Sequence, residues 1–209
     1  MTPAELAAFR DAIAARHAAL TEAIGKIAIA SDSAESTDYQ ADAYTEALFL
    51  RAFTAYENDI ERLFLHYVTG GLTLDGIAPN TFLKLTDEAA ARRLTKAGYK
   101  FLSWAKPQDT RATADNYLQN GWPISDMMNA KSQDLADCER IRNRIAHNSV
   151  EALVGFNIVQ RNMLQTERLF PITPGQFLRI RSTRLRKLHI GRYVDVMNDT
   201  LVAILSPPP

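Results

Sequence analysis

At 209 residues the chain is one domain, or one domain with a decorated edge, and long enough to enclose a full core. Its 46% apolar and 23% charged content is ordinary for a soluble globular protein, and 24 basic side chains cancel 24 acidic ones. Bulk charge therefore points neither to nucleic acid nor to a membrane, and only its distribution along the chain is informative. A single cysteine, Cys138, excludes an internal disulfide and a cysteine-based zinc site. The N-terminus lacks a basic-then-apolar signal pattern, and no apolar run approaches the roughly 18 residues of a membrane helix. A cytoplasmic protein without membrane contact is expected.

Thr2-Pro3-Ala4-Glu5 is a helix start, with threonine as cap, proline in the first turn and glutamate three after the cap. Leu6, Phe9, Ile13, Leu20, Ile24 and Ile27 follow at three- and four-residue steps, with His17 on the same stripe. The spacing predicts a helix over 3–29, and residues 1–30 form an amphipathic element for packing on the bundle or on a second subunit. A polar loop from Ser31 leads to a second long helix, about 41–69, stopped at Gly70-Gly71. Leu48, Phe53, Tyr56, Ile60, Leu63, Phe64 and Tyr67 make it the most apolar helix and the expected core.

Residues 72–106 are less regular: Leu72-Thr73-Leu74 and the stretch 81–85 read as short strands or extended loops. Thr86-Asp87 starts a short helix through Lys96 with Gly98 as its stop, and the aromatic run Tyr99 to Trp104 reads as core. Pro107 starts a helix to about Asn120-Gly121, 122–126 reads as loop, and Ser132 as the cap of the next helix. The segment Val150 to Leu164 is open between helix and strand. Thr173-Pro174 is another cap-plus-proline signal. A last helix over 190–205 buries Tyr193, Val196, Met197, Leu201 and Ile204, and the terminal prolines end the fold.

Two stretches concentrate charge. Between Gln176 and Tyr193 stand Arg179, Arg181, Arg184, Arg186, Lys187 and Arg192 with no acid among them, and His189 adds a titratable group. Such a run is either a solvated helix face or a site for a phosphate backbone. The other is Arg140-Ile141-Arg142-Asn143-Arg144-Ile145-Ala146-His147-Asn148-Ser149. Leu135, Cys138, Ile141 and Ile145 form one helical stripe there, with Cys138 as a small core residue. At about 100° per residue, Arg142 falls near the middle of that stripe. An unpaired buried charge costs several kcal/mol, so its guanidinium must meet a carboxylate, a subunit interface or an anionic ligand. Asn143 and His147 stand four apart, as neighbours on another face.

The segment Arg142-Asn143-Arg144-Ile145-Ala146-His147 resembles the signature of HEPN domains: arginine, a polar residue that is often asparagine, three variable positions, then histidine. Upstream, Arg51-Ala52-Phe53-Thr54-Ala55-Tyr56-Glu57 resembles the opening helix of the RiboL-PSP group of that family, which makes Glu57 the candidate partner of Arg142. The resemblance covers 41–205 loosely and 140–149 specifically. It implies an all-α, HEPN-like bundle of long antiparallel helices, commonly a homodimer with the motif helices at the interface.

The histidines are scattered at 17, 66, 147 and 189, so neither a metal site nor a cofactor is expected. Glycine-rich phosphate loops and a Gly-x-Ser-x-Gly elbow are missing as well. Arginine with histidine suffices for one reaction class, RNA cleavage through its own 2′-hydroxyl, which needs a group titrating near neutrality and a fixed cation on the phosphorane. HEPN ribonucleases are understood to use the pair in this metal-independent way. The resemblance implies His147 as general base or acid, Arg142 as phosphate clamp and Asn143 as the residue that positions them. Arg144, Arg181, Arg184 and Lys187 are the further candidates for holding RNA.

Toxin or antiphage roles, and an antitoxin or regulatory protein as partner, are expectations at family level. HEPN toxins silenced by a nucleotidyltransferase carry a tyrosine two residues after the histidine; here that position is Ser149, which puts such control in doubt. The alternatives are a HEPN module that binds RNA, nucleotides or a partner without cleaving, and a plain helical scaffold.

Overall fold

The computed structural model describes residues 1–32, 38–83, 85–97, 104–164, 172–182 and 185–207. The fold is all-α. Among the described residues there is no sheet, only isolated bridges pairing Thr81 with Leu118 and Arg181 with Leu188.

Helix α1 (Pro3–Asp32) begins at the expected cap. The Glu5 N–H donates to the Thr2 hydroxyl at 3.2 Å, and the Thr2 N–H donates to the Glu5 carboxylate at 2.6 Å. Helix α2 (Asp38–Val68) is the centre of the molecule. Phe49, Phe53, Tyr56, Ile60, Leu63 and Tyr67, spaced alternately four and three apart, are all buried. Gly70, with φ of 89°, follows where the chain leaves the helix. Fully burying each such side chain contributes about 1.5–3 kcal/mol. Phe53→Ala, at a position with no exposed surface, would cost about 3–5 kcal/mol.

The final helix, α9 (His189–Leu205), runs parallel to α2. Phe49 meets Tyr193 edge-on at one end, and the Tyr67 hydroxyl donates to the Ile204 carbonyl at 2.8 Å at the other. Helix α1 lies antiparallel to both. Arg62 of α2 covers Phe9, Arg16 pairs with Asp59, and His17 meets Asp195 of α9 at 3.0 Å.

Around this trio pack α3 (Glu88–Ala97), α4 (Pro107–Tyr117), α5 (Ile124–Ala130), α6 (Ser132–Ala146), α7 (Val150–Leu164) and α8 (Pro174–Arg179). Asp87 receives the Ala90 N–H at 2.8 Å and so starts α3 as expected. Trp104 is buried against Phe64 at 5.0 Å. Gly98, expected to stop α3, and the aromatic residues up to 103 lie outside the described residues. Thr173 closes a reciprocal capping box with Gln176 at the head of α8.

Three expectations are corrected. Residues 122–126 are not simply loop, because α5 begins at Ile124. Its start has no side-chain cap, and burial of Ile124 and Met128, one turn apart, holds it instead. Ser132 does not cap α6; Lys131 occupies that position and Ser132 is the first helical residue. The helix from Pro107 stops at Tyr117, and 119–121 form a separate 3-10 turn in which Asn120 has φ of 57°. The open segments also resolve: 150–164 is helical, and 72–74 forms no strand. No described helix is long and apolar enough to cross a membrane.

Candidate functional site

Helix α6 packs on α2 and α9 through Leu135, Cys138 and Ile141, all buried. That stripe turns Arg142 toward α2, where the charge meets a carboxylate as it must. Its Nη2 lies 3.8 Å from Glu57 Oε2, with the two side chains 32% and 19% exposed. The distance is that of an ion pair without a hydrogen bond. The guanidinium also stands 6.0 Å from the centre of the Phe53 ring, at the outer reach of a cation–π contact.

The second hold on Arg142 is Asn143. Arg142 Nη1 donates to the Asn143 side-chain carbonyl at 2.9 Å, and the Asn143 amide donates to Glu139 at 2.7 Å. Burial raises the Glu57 carboxyl above its ordinary pKa; Arg142 pulls it back and the nearby Glu139 charge pushes it up again. Arg142, Asn143, Glu57 and Glu139 thus form one cluster. Glu139 was not singled out in the sequence, although its place four residues before Asn143 is the spacing of a helical side-chain pair.

His147 is placed differently from the simple helical projection. It is the C-cap of α6, with extended φ and ψ of −135° and 133°, and its backbone N–H bonds the Asn143 carbonyl at 2.8 Å. The side chain is exposed and its ring makes no hydrogen bond among the described residues. It therefore leaves the face it would share with Asn143 in a continuing helix. Arg144 donates to Asn148 at 2.9 Å, and its charge is felt at Glu46 on α2. Ser149 caps α7, its hydroxyl receiving the Ala152 N–H at 3.2 Å.

Helix α7 doubles back along α6, with Gly155 against the aliphatic stem of Arg140. It buries Ala152, Phe156 and Val159 yet leaves Val150, Leu153, Val154 and Ile158 exposed, an apolar strip that starts next to His147.

The basic run from 176 to 193 is no single helix face. It spans the end of α8, the connection from α8 to α9, described at 180–182 and 185–188, and the start of α9. Arg179 grips Asp42 at 2.5 and 3.0 Å, Arg192 meets Asp134 at 2.6 Å, and Lys187 meets Asp195 at 2.7 Å. Arg181 and Arg186 are exposed and face no carboxylate among the described residues, while Arg181 donates to the Arg186 carbonyl at 3.2 Å. Arg184 lies outside the described residues. His189 adds no charge to this surface. It is buried, stacked on Phe177 at 4.8 Å, and burial, helped by the Arg192 charge, lowers its pKa to about 4.

The structure thus brings Arg142, Asn143 and Glu57 together with Glu139, keeps His147 and Arg144 close by in sequence at the open end of α6, and leaves Arg181 and Lys187 on a separate turn. Among the described residues no three His, Cys, Asp or Glu side chains converge as a metal ion would require. No family model, curated protein or solved structure matches the chain, so its chemistry has to be argued from these side chains.

Proposed function

We propose that the chain is a metal-independent endoribonuclease of HEPN type, acting as a toxin or defence effector. One observation carries this assignment. A half-buried guanidinium is held on two sides within five residues of an exposed histidine. Arg142 spends Nη1 on Asn143 and turns Nη2 to Glu57, and among the described residues its Nε has no partner. The remaining N–H groups suit the oxygens of a phosphate.

His147 takes the proton of the 2′-hydroxyl as O2′ closes on phosphorus. The P–O5′ bond breaks, Arg142 stabilises the charge on the non-bridging oxygens, and the 5′ oxygen leaves as a hydroxyl after protonation. The products are a 2′,3′-cyclic phosphate and a 5′-hydroxyl. A homodimer completes the site, because each chain brings only His147 to it while the reaction asks for both an acid and a base. The exposed strip of Val150, Leu153, Val154 and Ile158 beside His147 supports a second copy at this edge.

The test is incubation with total RNA in EDTA beside the His147→Ala and Arg142→Ala variants. Loss of cleavage by about 100-fold or more is expected, the scale of a removed general base or oxyanion donor. Equal cleavage by parent and variants would sink the assignment. A non-catalytic RNA-binding module is the second possibility, and one observation favours it: among the described residues no hydrogen bond orients the His147 ring. Salt-sensitive RNA binding without cleavage would establish it.

A further inference from the structure

We infer that Glu139 is a positioning residue that sets the attitude of Arg142 through Asn143. The chain of contacts is Glu139 to the Asn143 amide at 2.7 Å, then the Asn143 carbonyl to Arg142 Nη1 at 2.9 Å. A carboxylate only accepts hydrogen bonds and a guanidinium only donates them. An asparagine between the two can sit only one way round, amide toward Glu139 and carbonyl toward Arg142. The chemistry of the two flanking groups decides that orientation.

This gives position 143 a strict requirement. Aspartate there would set two carboxylates face to face, and leucine would leave Arg142 without its nearer acceptor. The i, i+4 separation of Glu139 and Asn143 keeps the anchor on the rigid turn that carries Arg142. Glu57 approaches the other nitrogen from α2, so the guanidinium is fixed from both helices while its remaining donors stay open. Placement of this kind is worth much in catalysis, since a displacement of about 1 Å can cost about 100-fold in rate. The catalytic role assumes the ribonuclease assignment above; the relay itself does not.

Four variants test it, each first checked for an unchanged melting temperature. In Glu139→Gln the new carbonyl can still accept the Asn143 amide, and kcat stays within about threefold of the parent, while Glu139→Ala lowers kcat about tenfold at unchanged KM. Asn143→Asp is expected to be the worst. Combining it with Glu139→Gln exchanges amide and carboxylate between the two positions and restores the relay, so the double variant recovers over Asn143→Asp alone. Full kcat in Glu139→Ala, or no recovery in the double variant, overturns the proposal.

Side-chain NMR gives a readout free of catalysis. The Asn143 amide and Arg142 Nε–H resonances move in Glu139→Ala and hold near their places in Glu139→Gln. If the parent proves not to cleave RNA, the ribonuclease assignment falls and these resonances still decide the relay: unmoved signals in Glu139→Ala reject it.

Discussion

The end of α6 and the turn between α8 and α9 carry similar positive charge in sequence and opposite fates in the fold. At 140–147 a guanidinium reaches a carboxylate without a hydrogen bond, keeps donors open and lies five residues before an exposed histidine. At 179–192 three of the cations are bound directly to Asp42, Asp195 and Asp134, which come from α2, α9 and α6. Runs of basic residues report donors only. Whether a donor is free depends on where acids fall in the fold, and for Arg179 and Arg192 those acids lie far away in sequence.

The comparison breaks most sharply at Arg142. If this end of the molecule is the working one, Arg142→Ala and His147→Ala lower RNA cleavage by about 100-fold or more, while Arg181→Ala changes kcat by less than about threefold. A kcat loss in Arg181→Ala as large as that in Arg142→Ala would move the chemistry to the other region. Next comes Arg179→Ala, a stability effect. The ion pair with Asp42 is nearly buried, 13% and 11% exposed, so removing the guanidinium strands a carboxylate. Breaking such a pair costs about 3–5 kcal/mol, with the low end expected because Thr173 still donates to Asp42 at 2.8 Å. Urea denaturation measures it, and a cost under about 1 kcal/mol would mean that the pair is solvated.

Much of this was legible beforehand, for reasons that can be named. The stripe 49, 53, 56, 60, 63, 67 is a strong period, and helix α2 follows it. Placing Arg142 on an apolar stripe required a partner, and Glu57 is there. Helix α7 was ambiguous because it is apolar on both faces, burying Phe156 and Val159 while exposing Val150 and Val154. Helix α5 is not legible in the sequence because seven residues without a side-chain cap give no local signal, and only tertiary burial holds them. The spacing alone places His147 on a helix face with Asn143, whereas the helix ends one residue before it. For the basic run, Asp42 and Asp134 are more than 40 residues from their partners, beyond any local pattern.

His189 extends the contrast to pH. Its pKa falls to about 4 in the folded chain, against 6.5 ordinarily. A depressed histidine binds its proton more tightly when unfolded, so its contribution is present above pH 6.5 and fades as pH falls toward 4. The difference amounts to about 3 kcal/mol at most. Asp59, Asp137, Glu46 and Glu57, all raised by burial, act in the opposite sense and gain protons on folding as pH falls. The histidine term is therefore read as a difference: His189→Phe loses less stability than the parent between pH 6.5 and 4. Equal losses would place the ring in contact with water.

The smallest expected effect asks whether any of the second region holds RNA. Arg181 is exposed and faces no described carboxylate, so a phosphate could use it at no cost in broken ion pairs. Lys187 is paired with Asp195, but that pair is 61% and 31% exposed, worth about 1 kcal/mol at most, and yields readily to a phosphate. Arg192, paired with Asp134 at 2.6 Å and half-buried, does not. In binding assays with His147→Ala, so that RNA survives, log affinity falls linearly with log salt, with a slope of about 0.7 per phosphate contact on a single strand. Arg181→Ala and Lys187→Ala each reduce that slope by roughly one contact, and Arg192→Ala leaves it unchanged. A slope lowered only by Arg144→Ala would confine RNA to the end of α6 and make the turn a solvated surface. A slope lowered by Arg192→Ala as well would mean that Asp134 surrenders its partner, and that folded ion pairs mark binding donors here instead of excluding them.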